Sequence, residues 1–81
     1  MTVNDAVAMR IISLLREKNM SQYRLEQKTE IQHGSMQCIM NGRNKTVALS
    51  TAIIIASGFD MPLTEFLNDS VFDIENLDIE I

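Results

Sequence analysis

Between Ser21 and Gly42 the chain carries two short helical patterns with about three residues between them, and a connection that short permits only a tight, angled helix pair. The first pattern opens on Ser21, a side chain suited to cap a helix, and turns Leu25 inward. The second starts near Gln32 and turns Met36, Ile39 and Met40 to one side, at the i, i+3 and i+4 spacing of a helix face. His33, Gly34, Gln37, Cys38 and Asn41 are left on the other side. That face is short, polar and without fixed charge, which suits a major groove whose base edges offer donors and acceptors. The segment reads as a helix-turn-helix over about residues 21–42, with the helix of about 32–41 placed to meet DNA.

The rest of the chain supplies a scaffold for that pair. Thr2 and Asp5 have the spacing of a capping box, and Val7, Ile11, Leu14 and Leu15 then share one face, so a first helix is expected to run to about Lys18 and stop at Asn19. Gly42 is placed to end the third helix. A fourth is expected from Leu49 to Ser57, with Ala52, Ile53, Ile55, Ala56 and Phe59 as its apolar set and Gly58 closing it. Pro62 suits the first turn of a fifth helix, with Leu63, Phe66 and Leu67 inward. The fold class expected is all-α, five short helices over residues 1–68, followed by a tail over 69–81. The end of that tail is ambiguous. Leu77 to Ile81 alternates as a half-buried strand would, whereas Val71, Ile74 and Leu77 also fit one helical face.

Composition narrows the function. Eighty-one residues allow one domain, which buries only roughly 60–65% of its unfolded surface. The single cysteine excludes an internal disulfide and fits a reducing compartment. No apolar run approaches the roughly 20 residues of a membrane span, and no cleavable leader is evident, so the cytoplasm, at the nucleoid, is the expected location. The net charge of −4 argues against nucleic acid until its distribution is read. Residues 1–59 hold all seven basic side chains against four acids, a balance of +3, and residues 60–81 hold seven acids and no base. The body is mildly basic and the tail acidic, although +3 is a small electrostatic footprint for DNA.

Three stretches resemble the Cro/phage-repressor (XRE) type of helix-turn-helix regulator, with a lambda-repressor-like likeness over roughly residues 5–67. They are Ser21-Gln22, the run Ile39 to Asn44, and Ile55 to Phe66, which is similar to that family's junction between fourth and fifth helices. The resemblance implies that Gln22, Asn41 and Asn44 grip phosphates, with Arg43 and Lys45 beside them. It also implies that His33, Gly34 and Cys38 face the bases, with Gln32 and Gln37 as neighbours. Two positions depart from the pattern. Glu26 stands where the family usually has alanine at the helix crossing, so it must reach out to solvent or pair with a basic neighbour such as Arg24 or Lys28. Glu30 stands where the turn glycine is usual, and a non-glycine in left-handed backbone costs about 1 kcal/mol.

The expected function is sequence-specific binding of double-stranded DNA by a small regulator, a repressor. Gln37 has the amide geometry for adenine, and the Arg43-Asn44-Lys45 loop suits phosphate. No metal site is expected, because His33 has no second ligand at suitable spacing. Cys38 reads as a small surface residue rather than a nucleophile, and the six methionines read as core filler. No catalytic constellation, cofactor, membrane or small-molecule substrate is implied. A module this small is expected to act as a homodimer. The surface expected for that is helix 5 with the tail, because Phe66, Leu67, Phe72, Ile74 and Leu77 exceed what one small core needs. The alternative is a protein-interaction module, such as an antitoxin or accessory partner of a larger regulator. A tail that covers the basic face and inhibits binding is a third reading.

Overall fold

Three helix ends share one device, and it sets the path of the chain. In the computed structural model, which describes residues 1–79, α1 spans Val3–Glu17, α2 Gln22–Thr29, α3 His33–Met40, α4 Leu49–Gly58 and α5 Leu63–Phe66. After α1 the N–H of Asn19 donates to Arg16 O and that of Met20 to Leu15 O; after α3, Gly42 donates to Ile39 O and Arg43 to Cys38 O; after α4, Asp60 donates to Ser57 O and Met61 to Ala56 O. Each pair is the double bond of a Schellman turn, whose pivot residue takes left-handed backbone. The pivots are Asn19 at φ 51°, Gly42 at 68° and Asp60 at 58°. Asn19 and Gly42 stop their helices as the sequence suggests. Gly58 does not: it is the last residue of α4, and Asp60 makes the turn.

The glycine at 58 has a packing reason instead. A Cβ there would lie 2.5 Å from Thr29 Cγ2 and 2.9 Å from Leu25 Cδ1, so α4 and α2 cross at a distance only hydrogen allows. Around that crossing, Val7, Ile11 and Leu14 of α1, Leu25 of α2, Met36 and Ile39 of α3, Ile55 and Ala56 of α4, Phe59, and Phe66 of α5 form one core. At the other end, Thr2 and Asp5 complete the capping box, each accepting from the other's backbone N–H. The fully buried Asn4 then ties α1 to α3 and to the loop that follows it. Its side-chain amide donates to Ile39 O at 2.8 Å and its backbone N–H to Lys45 O at 3.2 Å.

Several side chains are placed otherwise than their spacing suggests. Ile53 is 48% exposed and Leu67 38%, so neither joins the core that Ile55 and Phe66 fill. Met1 and Met9 are also exposed, and only Met36 among the methionines is fully buried. Arg10 is mostly buried: its guanidinium donates to Phe66 O at 2.7 Å and Glu65 O at 3.0 Å and lies 3.6 Å from Asp69. It caps the C-terminal carbonyls of α5 with a rigid fork of donors. Lys28 pairs with Asp60 at 2.9 Å rather than with a neighbouring glutamate.

The tail is folded against the body as far as it is described. It makes two 3-10 turns, Ser70–Phe72 and Ile74–Asn76, neither an α-helical face nor a strand. Residues 80 and 81, the end of the alternating run, lie outside the described residues. Phe72 packs on the core with its ring 6.1 Å from that of Phe66. Beyond it the chain meets the N-terminus: the N–H of Asp78 donates to Met1 O at 2.8 Å, and the α-amino group of Met1 sits 3.4 Å from the Asp78 carboxylate. Phe66 and Phe72 are thus used inside the domain, while Leu67, Ile74 and Ile79 are large apolar side chains left exposed in this region.

Candidate nucleic-acid interface

The turn between α2 and α3 is closed without glycine. Glu30 takes the left-handed conformation at φ 59°, and its side chain stays in solvent. Thr29 supports the turn from inside: its hydroxyl donates to Leu25 O at 2.8 Å and accepts from the N–H of Ile31 at 3.3 Å. Gln32 follows as the N-cap of α3, extended in backbone but making no side-chain capping bond. Its amide is therefore uncommitted at the exposed entrance of the helix.

Glu26 organises what lies behind that entrance. Its side chain is 10% exposed, so it neither reaches into solvent nor meets Arg24 or Lys28. Gln22, one turn earlier on α2, donates from Nε2 to Oε2 of Glu26 at 2.9 Å. His33, at the first turn of α3, brings Nδ1 to 2.9 Å from Oε2 and 3.1 Å from Oε1. The Gln22 amide bond, with smaller help from the His33 hydrogen bond, outweighs desolvation and holds the Glu26 carboxyl below its ordinary pKa. An ionised carboxylate only accepts, so Nδ1 of His33 must carry the proton. Gln22 Nε2 also approaches Gln37 Oε1 at 3.5 Å, the outer limit of a hydrogen bond.

The other border is the loop after α3. Gly42 needs its left-handed backbone and has no room for a side chain, since a Cβ would meet the Asp5 carboxylate at 2.9 Å. The turn it makes sends Arg43, Asn44 and Lys45 into solvent, and the bond from Asn4 to Lys45 O holds the loop near the start of α1. A shallow groove between α3 and the start of α4 is lined by Ser35, Cys38, Asn44, Thr46 and Thr51.

The residues the sequence selects differ in how far they are exposed and in what already holds them. Gln32, His33, Gly34, Asn41, Arg43, Asn44 and Lys45 are exposed, while Gln37, Cys38 and Gln22 are half-buried, and the Gln22 amide is already engaged by Glu26. Two neighbours of this face are not among the site residues the sequence selects. Ser35 is exposed on α3 and lines the groove beside Cys38. Glu26 lies behind His33, and the signal for it was present: a carboxylate at an inward position, four residues from one polar partner and seven from another. Among the described residues no group of His, Cys, Asp and Glu could hold a metal ion, and no helix is long and apolar enough to cross a membrane.

Two short helices joined by a three-residue turn, the second exposed at its start and followed by a basic loop, define a helix-turn-helix DNA-binding domain within an all-α fold. The chain belongs to the Cro/C1-type HTH DNA-binding domain family, whose model matches residues 10–70. No curated protein and no solved structure gives a significant match. The family is one of non-enzymatic DNA-binding regulators.

Proposed function

We propose that this domain acts as a repressor whose α3 enters the major groove of double-stranded DNA. In this reading Gln32, His33, Gly34, Gln37 and Cys38 face the bases, and Gln22, Asn41, Arg43, Asn44 and Lys45 hold the phosphates on either side. The observation that carries it is the exposed first turn of α3 flanked by the exposed Arg43-Asn44-Lys45 loop, within a family domain that binds DNA. The body-and-tail partition is residues 1–68 and 69–81, and the place of action is the cytoplasm, at the nucleoid.

One module contacts few phosphates, so specific binding calls for a homodimer on half-sites about 34 Å apart. Exposed Leu67 and Ile74 favour helix 5 and the tail as its surface. Exposed Leu49, Ile53 and Ile54 along α4 favour a second reading, in which the domain also docks on a protein partner. Selection from a randomised duplex library at about 0.1 M salt, a concentration at which phosphate contacts still count, tests the first reading. Two inverted half-sites spaced by a turn support it. A folded protein that enriches nothing over several rounds rejects it in favour of the protein partner.

A further inference from the structure

We infer that Glu26 is a positioning residue for sequence reading, which holds the Nδ1 edge of His33 so that Nε2 is the atom presented to DNA. The inference rests on the DNA-binding reading above and adds the device by which one side chain of that face is aimed.

An exposed histidine at the start of a helix is ordinarily a poor reader. Its ring turns freely, and its two nitrogens exchange donor and acceptor roles between tautomers. Here the ring is 68% exposed, yet one nitrogen is fixed against both oxygens of a carboxylate that is 10% exposed and itself held by Gln22. Three consequences follow from that geometry. The ring has one orientation about its Cβ–Cγ bond. The proton of the neutral ring sits on Nδ1, which leaves Nε2 as an acceptor, the group that pairs with the exocyclic amines of adenine or cytosine. The arrangement also spans α2 and α3, so the angle between the two helices and the aim of the ring are set by the same carboxylate. This is the logic by which a carboxylate behind a metal-bound histidine fixes its tautomer, applied to a histidine facing DNA.

Glu26 occupies a crossing at which a buried charge is otherwise a burden, because a carboxylate removed from water must recover its solvation from neighbours. Gln22 and His33 supply that recovery. Removing the carboxylate therefore removes the buried charge together with its partners' bonds, and folding is expected to survive while aim is lost.

The experiment has a part without mutation and a part with it. In the free wild-type protein, 15N NMR of the neutral His33 ring should show Nδ1 protonated and Nε2 bare; the opposite tautomer, or a free mixture, overturns the proposal. In the library selection, Glu26→Ala should keep a helical spectrum and its affinity for unselected duplex, yet lose roughly ten-fold of its preference at one base pair per half-site, the share carried by one good base contact. His33→Ala should lose the preference at that same base pair. Glu26→Gln, which can still accept from Nδ1–H, should recover most of it. If Glu26→Ala and His33→Ala enrich the wild-type motif unchanged, or if Gln fails to rescue, the positioning role is wrong although DNA reading stands. A wild-type protein that enriches no motif removes DNA reading itself, and this proposal with it.

Discussion

Replacing Gly58 by alanine tests the helix crossing on which the whole arrangement hangs. A survey by propensity would expect a gain, since alanine in a helix is favoured over glycine by up to about 1 kcal/mol, and less in a last turn. The crossing opposes this. The new methyl would sit 2.5 Å from Thr29 Cγ2 and 2.9 Å from Leu25 Cδ1. Leu25 is fully buried, and Thr29 cannot swing its methyl aside without giving up the bond from its hydroxyl to Leu25 O. Overpacking of this kind costs about 1–3 kcal/mol, so the net loss should be about 1–2 kcal/mol. In a domain of this size that lowers the melting temperature by about 5–15 °C.

The assay is thermal and urea unfolding of four proteins: wild type, Gly58→Ala, Thr29→Ser and the double variant. Serine keeps the hydroxyl and deletes the clashing methyl, so the double variant should regain most of the loss, with a coupling of about 1 kcal/mol. A Gly58→Ala protein at least as stable as wild type would refute the packing argument. A coupling below about 0.3 kcal/mol would show that the loss does not arise at Thr29 and would leave Leu25 as the clashing neighbour.

Other outcomes follow from the same geometry. Arg10→Lys should lose about 1–2 kcal/mol in urea unfolding, because an ammonium cannot reproduce the fork that reaches both Phe66 O and Glu65 O; wild-type stability would show those bonds to be idle. Glu30→Gly should gain about 0.5–1 kcal/mol at its left-handed turn, seen as a rise in melting temperature, and a fall would contradict the strain. Glu26 is held below its ordinary pKa by the Gln22 bond and Asp60 by the Lys28 bond, so both stabilise the fold above the unfolded carboxylate range near about pH 4 and cease to as pH falls through the folded values. The double variant Glu26→Gln, Asp60→Asn should therefore lose less stability than wild type between neutral and acid pH, and parallel curves would dismiss the idea. Lys45→Ala should weaken all duplexes alike and reduce the slope of log affinity against log salt by about one; an unchanged slope in fluorescence anisotropy would take Lys45 off the phosphate.

What the sequence discloses here is what local rules control. Helix starts at Thr2 and Ser21 and helix ends at Asn19 and Gly42 depend on residues within one turn, so a reader of the chain finds them. Gly58 and Asp60 show where that logic stops. Both residues can end a helix, and the choice between them falls to Thr29 and Leu25, some thirty positions away in the chain. Arg10 is a similar case, since its partners on α5 and at Asp69 lie more than fifty residues on. Ile53 and Leu67 fit the apolar spacing of their helices yet face outward, because Ile55 and Phe66 already fill the core. Periodicity identifies a face; it does not say how wide the buried stripe will be.

The two departures from the family pattern close the argument, because each is resolved by a different kind of neighbour. Glu30 is tolerated by geometry: its backbone adopts the left-handed turn and the threonine before it secures the following N–H. Glu26 is tolerated by chemistry. It brings a buried charge to the one place where α2 and α3 meet, and that charge draws in Gln22 from the first helix and His33 from the second. An alanine there would let the helices pack without reference to what they present. The carboxylate makes the packing of the motif and the orientation of its exposed histidine a single event, so a substitution meant to relieve a buried charge should also change what the domain reads.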